Sequence, residues 1–321
     1  MSRWMTLLAG FAVLGCHSAR STSDLGPAPG AWRAEPSMRY ARAAHAVVAS
    51  PTAIYALAGT GAGGAPVLPV ERFDGRSWQI ETTLPGAGLN APAAALIGEK
   101  IYLVGGFNTV TNVPSTQVLV YDLATRRWSD AAPLPAPRGG HAAVVLAGKI
   151  HVIGGGNSRS TIADHDVYDP ATNRWTSAAP LPRAEGSPAA VAVAGKLWSI
   201  GGRSGPSDFG FVDVYDPETD RWNAGPPIEP RGTAGAVHYC GATYLVGGES
   251  QARAESLAEV LRLDDGASSW QPAPPLPTAR NFARAVRFHD RIHVVGGSPT
   301  PGRSHASEGS AIVESFGLRC P

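Results

Sequence analysis

The sequence predicts an all-β protein built as one closed ring of six repeated units, and three observations carry that prediction. A diglycine or its equivalent recurs at Ala58-Gly59, Gly105-Gly106, Gly154-Gly155, Gly201-Gly202, Gly247-Gly248 and Gly296-Gly297, a period of 46 to 49 residues. Apolar runs precede each, and an aromatic-Asp pair followed by Trp comes after: Phe73-Asp74 with Trp78, Tyr121-Asp122 with Trp128, Tyr168-Asp169 with Trp175, and Tyr215-Asp216 with Trp222. Leu263-Asp264 with Trp270 is a degenerate copy. The sixth unit has a matching Ile312-Val313-Glu314-Ser315-Phe316, but its Trp stands near the other end of the chain. Trp32 precedes Arg42 and His45 by 10 and 13 residues, the offsets separating Trp128 from Arg138 and His141. The segment around Trp32 is therefore expected to supply the outer strand of the last unit, closing the ring and protecting its sheet edges.

Composition agrees with a turn-rich, strand-rich chain. Among 321 residues there are 38 Gly and 28 Pro, with 17% charged residues and a formal net charge of +1. Length alone suggests about two domains. A repeat array overrides that expectation, because repeated units share one continuous assembly. No basic patch points to nucleic acid.

Residues 1–15 read as a signal peptide: Arg3, then an apolar run from Trp4 to Gly15 that is too short to span a bilayer. The run ends Val13-Leu14-Gly15-Cys16, which resembles a bacterial lipobox. That resemblance implies lipidation of Cys16 and a chain anchored in a bacterial cell envelope; plain secretion with an incidental Cys is the alternative. Residues 16–30 are small, polar and Pro/Gly-rich, the composition of a flexible tether.

The third unit shows why each residue type occupies its slot. Strand A is expected at Ala142–Leu146, B at Ile150–Ile153, C at Asp166–Tyr168 and D at Trp175–Ala178. Gly148 accepts positive φ in the A–B turn. The missing side chains of the diglycine let neighbouring groups approach strand B closely. Asp169 opens a tight C–D turn, and Trp175 is large enough to fill the wedge that widens between units.

Four hydrophobics, Gly-Gly, Tyr-Asp and Trp at this period resemble the kelch repeat over residues 31–318. The resemblance implies a six-bladed kelch β-propeller with four antiparallel strands per blade, residues 31–321 forming one domain. Recurrence also settles several reactive side chains as scaffold: His151 and His293 share one slot, and His45 and His141 another. Asp164-His165-Asp166 has ligand-like spacing, but successive strand residues face opposite ways, so no metal site is expected.

Alternation of strands puts the D–A connections and the variable B–C loops on one face, where binding on a rigid scaffold is expected. The connections carry Arg42, Arg138, Arg183, Arg231 and Arg280, with Asn90 breaking the set. Pointing inward, these arginines would hold carboxylate or phosphate; alternatively they brace the blades. Non-repeating residues on this face are Phe107, Asn108, Asn157, Arg159, Arg203, Glu249, Glu185 and Arg303. Two functions follow. One is a monomeric binding or scaffolding module with a protein or anionic carbohydrate partner and no cofactor. The other is a sugar-acid enzyme resembling the kelch-like sialic-acid mutarotases, with arginines on the carboxylate and Glu249 or Glu185 moving protons. An oxidase of the galactose-oxidase type is disfavoured, because Cys240 falls at an A–B turn on the opposite face. In an exported chain Cys240 and Cys320 invite a disulfide. Both should emerge on one face, separated by a radial offset that leaves two free thiols as the alternative.

Overall fold

The computed structural model describes residues 30–302 and 308–318, together with Met1 and Cys320. The leader, Cys16 and Arg303 lie outside the described residues. Six four-stranded antiparallel sheets are arranged radially, each ordered A–B–C–D from the axis outward. Blade 1 comprises Ala46–Ala49, Ile54–Leu57, Pro69–Phe73 and Trp78–Thr83; blade 2 comprises Ala93–Ile97, Lys100–Val104, Val118–Asp122 and Arg127–Asp130. Blade 3 runs through Ala142–Leu146, Lys149–Ile153, His165–Asp169 and Arg174–Ser177, within a residue of the expected bounds. Blade 4 has Ala189–Val193, Lys196–Ile200, Val212–Asp216 and Arg221–Ala224. Blade 5 has Gly235–Tyr239, Ala242–Val246, Val260–Asp264 and Gln271–Ala273. Blade 6 takes Arg284–Phe288, Arg291–Val295 and Val313–Gly317, and its outer strand is Trp32–Ala34. Strand A of every blade lies beside strand A of the next, and blade 6 returns to blade 1.

Closure follows the register Trp32↔Phe316, Arg33↔Ser315, Ala34↔Glu314. This repeats the pairing of the aromatic on strand C with Trp on strand D, seen in Tyr121↔Trp128, Tyr168↔Trp175 and Tyr215↔Trp222. The ring centroids of these four pairs lie 5.0–5.3 Å apart, contacts worth about 0.5–1.5 kcal/mol each beyond the burial itself. Each indole also reaches the preceding blade. Trp175 Nε1 donates to the Ala132 carbonyl (2.8 Å), Trp222 to Ala179 (2.8 Å) and Trp32 to Pro274 (2.8 Å). The Trp thus seals its own blade and staples it to its neighbour.

Inside the ring the diglycine does the same for the D–A connection. The N–H of its second residue donates to the connection of the following blade, as in Gly106 to Arg138 (2.9 Å), Gly155 to Glu185 (2.8 Å) and Gly297 to Arg42 (3.0 Å). A Cβ on Gly105 would lie 2.6 Å from the Arg138 carbonyl oxygen and 2.8 Å from the His141 ring. His141, just before strand A of blade 3, is thereby wedged between blades, in a slot that does not suit a charge. Burial, then Arg138 and Arg284, push its pKa down to about 3.

Cys240 and Cys320 are bridged, with Cα atoms 4.9 Å apart. Leu318 N donates to Asp290 O (3.3 Å) on the A–B turn of blade 6, which leads the tail inward across the radial offset. The bridge joins residues 80 apart in sequence and ties blade 5 to blade 6. A loop of that size restricts the unfolded chain by up to about 4–5 kcal/mol. Reduction with dithiothreitol should therefore shift the urea midpoint substantially, and Cys240→Ser should match it; equal midpoints with and without reductant would refute a stabilising bridge.

Candidate functional site

The connection arginines occupy the blade interior. Arg42 pairs with Glu71 at 2.6 Å and Arg280 with Glu314 at 3.0 Å, while Arg138 pairs with Asp166. All three arginine side chains are fully buried. Arg231, nearly buried, lies 3.4 Å from Glu259. Arg183 pairs with Asp213 and stacks its guanidinium 3.9 Å from the Phe211 ring centre. The expectation of an inward-facing arginine ring is thus corrected for Arg42, Arg138 and Arg280, whose fully buried guanidinium groups brace strand C against the connection and are out of reach of a ligand, whereas Arg183 is partly exposed and the Glu259 partner of Arg231 stands at the surface.

Backbone bonds also correct the alignment of this slot. The carbonyls that accept from the diglycine N–H belong to Arg42, Leu89, Arg138, Glu185, Arg231 and Arg280. Glu185, not Arg183, is therefore the blade 4 occupant, and Leu89 is that of blade 2. Two residues before the strand-C aromatic, where blades 1, 3, 4 and 6 carry Glu71, Asp166, Asp213 and Glu314, blade 2 has Leu119. Leu89 and Leu119 lie in one apolar cluster, so blade 2 replaces both members of the ion pair together. Glu185 is buried, accepts from Ser199 Oγ at 2.5 Å, and its pKa is pushed up to about 7 by burial. It lacks access to a ligand on the loop face.

The Asp164-His165-Asp166 run splits as strand alternation demands. Asp166 and Asp164 turn to Arg138, whereas His165 faces His151 (2.9 Å) and the Ala179 carbonyl (3.1 Å). His165 must donate from Nδ1 to that carbonyl, so its Nε2 accepts from His151 Nδ1–H. Among the described residues no three His, Cys, Asp or Glu side chains converge as a metal site.

What remains at the axis is a bowl. Ala44, Ala91, Gly140, Ser187, Thr233 and Phe282 stand in equivalent positions with φ between 48 and 62°. Five N–H groups of this series donate to the carbonyl of the preceding blade at 2.6–3.1 Å, fixing the mouth of the channel with backbone bonds. Phe282 is the one large side chain of the series, buried over Ala44 and Ala91 with Phe107 packed beside it. Together they floor a cavity of about 500 Å³ rimmed by Asn90, Asn112, Ser187 and Arg203. Phe107 lies where it does because Gly139 has no side chain; a Cβ there would come within 2.3 Å of the ring.

Arg203 and Glu249 follow the diglycines of adjacent blades and form an ion pair. Glu249 is fully buried; its second carboxylate oxygen accepts from Gly302 N at 2.9 Å. Burial pushes its pKa upward, against the pull of Arg203. Glu249 therefore aims Arg203 at the bowl, where the guanidinium sits 5.6 Å from the Phe282 ring centre, and does not face the cavity as a proton carrier. Asn108 lines the bowl, but its Oδ1 accepts from Val110 N (2.9 Å) and Thr111 N (3.0 Å), shaping the B–C loop. Asn157 does the same for the loop bearing Arg159, which is exposed. Phe282, Asn90 and Ser187 were not candidates by sequence. The signal for Phe282 is its lone bulk in a slot otherwise held by Ala, Gly, Ser or Thr.

The architecture defines the class: a six-bladed propeller, closed by its N-terminal strand, with a bowl over the axis. The KLHDC2/KLHL20/DRC7 Kelch-repeats domain matches residues 32–182 and 91–297, and the chain belongs to the kelch-repeat family. Mouse Kelch-like protein 35 is 27% identical over 158 residues, 47% of this chain and 26% of that protein. Alpha-scruin of Limulus polyphemus is 32% identical over 129 residues, 39% of this chain and 14% of that protein. The chain thus spans about a quarter or less of these relatives. The solved structure of YjhT superposes with a TM-score of 0.74 at 16% identity, covering 87% of this chain and 95% of YjhT, and shares the fold.

Proposed function

We propose that this propeller is a protein-binding module whose bowl receives an extended segment of a partner, with an apolar side chain against Phe107 and an acidic one on Arg203. The observation that carries this reading is the bowl itself: an apolar floor with a polar rim, in which, among the described residues, a pre-aimed guanidinium is the charged member. Exposed Arg159 on the same face adds positive charge. Binding is favoured over proton-transfer catalysis, because both carboxylate oxygens of Glu249 are engaged and Glu185 is buried in blade 4. A free acid or base is what such catalysis needs.

The test is selection of displayed random peptides on the folded chain, followed by titration of the selected sequences. Peptides pairing an acidic with an apolar residue are expected, and Arg203→Ala and Phe107→Ala should each weaken them tenfold or more. Arg287→Ala, on the opposite end of the channel, should leave them unchanged. Selected peptides indifferent to both bowl substitutions would reject the site.

We further propose that the module is exported and lipid-anchored through Cys16, on the strength of Arg3, the apolar run and Leu14-Gly15-Cys16. No helix among the described residues is long and apolar enough to cross a membrane.

A further inference from the structure

The first residue of strand A, paired with the last of strand B, is Ala46, Ala93, Ala142, Ala189 and Gly235 in blades 1 to 5. In blade 6 it is Arg284. Five small residues leave the axis hollow, and Arg284 projects into the cavity of about 130 Å³ they create. Its Nε donates to the His45 carbonyl of blade 1 at 2.8 Å. Among the described residues neither terminal nitrogen has a hydrogen-bond acceptor, and no carboxylate pairs with it. This sets it apart from the connection arginines, each of which has an acid beside it.

We propose that the axial channel binds a small monovalent anion of the halide class on Arg284, sealed from the loop face by Phe282. Three observations converge on that ligand. First, a guanidinium enclosed in a narrow channel among small residues, without a counter-charge, is costly, and an anion offsets it. Burial alone pulls Arg284 down to about 10, with no acid to raise it again, and the nearby His45 and His141 are held neutral, leaving Arg284 the charge facing this space among the described residues. Second, strand A is the inner edge of every sheet, so its unpaired N–H groups face the axis and add donors around the same space. Third, the cavity has room for a halide with a few waters, a water occupying about 30 Å³. Phe282, two residues before Arg284, covers Ala44 and Ala91 at the mouth, so entry is from the opposite face past Arg287. This inference rests on the channel and is independent of the partner proposed for the bowl.

The experiment compares thermal unfolding of the folded chain in sodium chloride, sodium bromide and sodium gluconate at matched ionic strength. Chloride and bromide should raise the midpoint saturably by at least about 2–4 °C over gluconate, and Arg284→Met should abolish the difference. Should that variant fold poorly, crystals of the unaltered protein grown with bromide provide the second measurement. An anomalous peak within hydrogen-bond distance of Arg284, joined to the saturable shift, supports the site. Midpoints set by ionic strength alone, a channel holding only water, or bromide seen in the crystal without the solution effect would each overturn it.

Discussion

A chain beginning at Arg39 should lose its cooperative unfolding transition or retain only a small fraction of its stability. The removed strand pairs three residues with Phe316, Ser315 and Glu314. Gly30 N and Glu35 N add backbone bonds to Gly317 and Val313 at 2.9 Å each. Trp32 joins blade 5 through Pro274, while the Pro36 carbonyl accepts from Trp78 Nε1 of blade 1 at 2.9 Å. One short segment therefore staples blade 6 to both neighbours. Loss of a packed Trp costs about 3–5 kcal/mol, and several backbone bonds near 1 kcal/mol each bring the total close to that of a whole domain. The truncation also turns Val313–Gly317 into an open edge, which favours aggregation. Circular dichroism during urea titration measures the loss, and a synthetic peptide of residues 30–38 added in trans should restore part of it. Full stability of the truncated chain, or a Trp32→Ala variant far milder than Trp175→Ala, would mean that Trp32 does not close the ring.

Exchanging the Arg138–Asp166 brace for leucines should be much cheaper than removing either member. Arg138→Leu leaves Asp166 buried and unpaired, a loss of about 3–5 kcal/mol. The double substitution Arg138→Leu with Asp166→Leu recreates the pair that blade 2 already uses at Leu89 and Leu119, and most of the loss should return. A ligand-contacting arginine predicts the opposite: the second change would restore nothing. Urea unfolding of the two single variants and the double variant gives the coupling directly. A double variant as unstable as Arg138→Leu would show that the apolar exchange is particular to the surroundings of blade 2.

How far the sequence reached depended on whether a residue repeats. Glycines, aromatic-Asp pairs and tryptophans recur because every blade must make the same turns and fill the same wedge, so the number of blades, the strand bounds near Ala142–Ser177 and the closure by Trp32 could all be read from spacing. The two cysteines could be placed on one face but not joined. Their contact depends on the path of the tail past Asp290, a tertiary fact. Spacing also could not fix where a guanidinium points. Arg42, Arg138 and Arg280 stand where a ligand ring would require them, but an acid two residues before the strand-C aromatic turns each of them inward to the blade.

By itself the chain's order determined the ring, since strand periodicity and turn chemistry are local and repeat in every unit. Only the folded ring decided the site, because the axis brings together residues from all six blades that share no local pattern. Phe282 and Arg284 differ from their counterparts by bulk and charge at positions meaningful solely once six inner strands face one another. Convergence on an axis is a property of the closed ring, and no single repeat contains it.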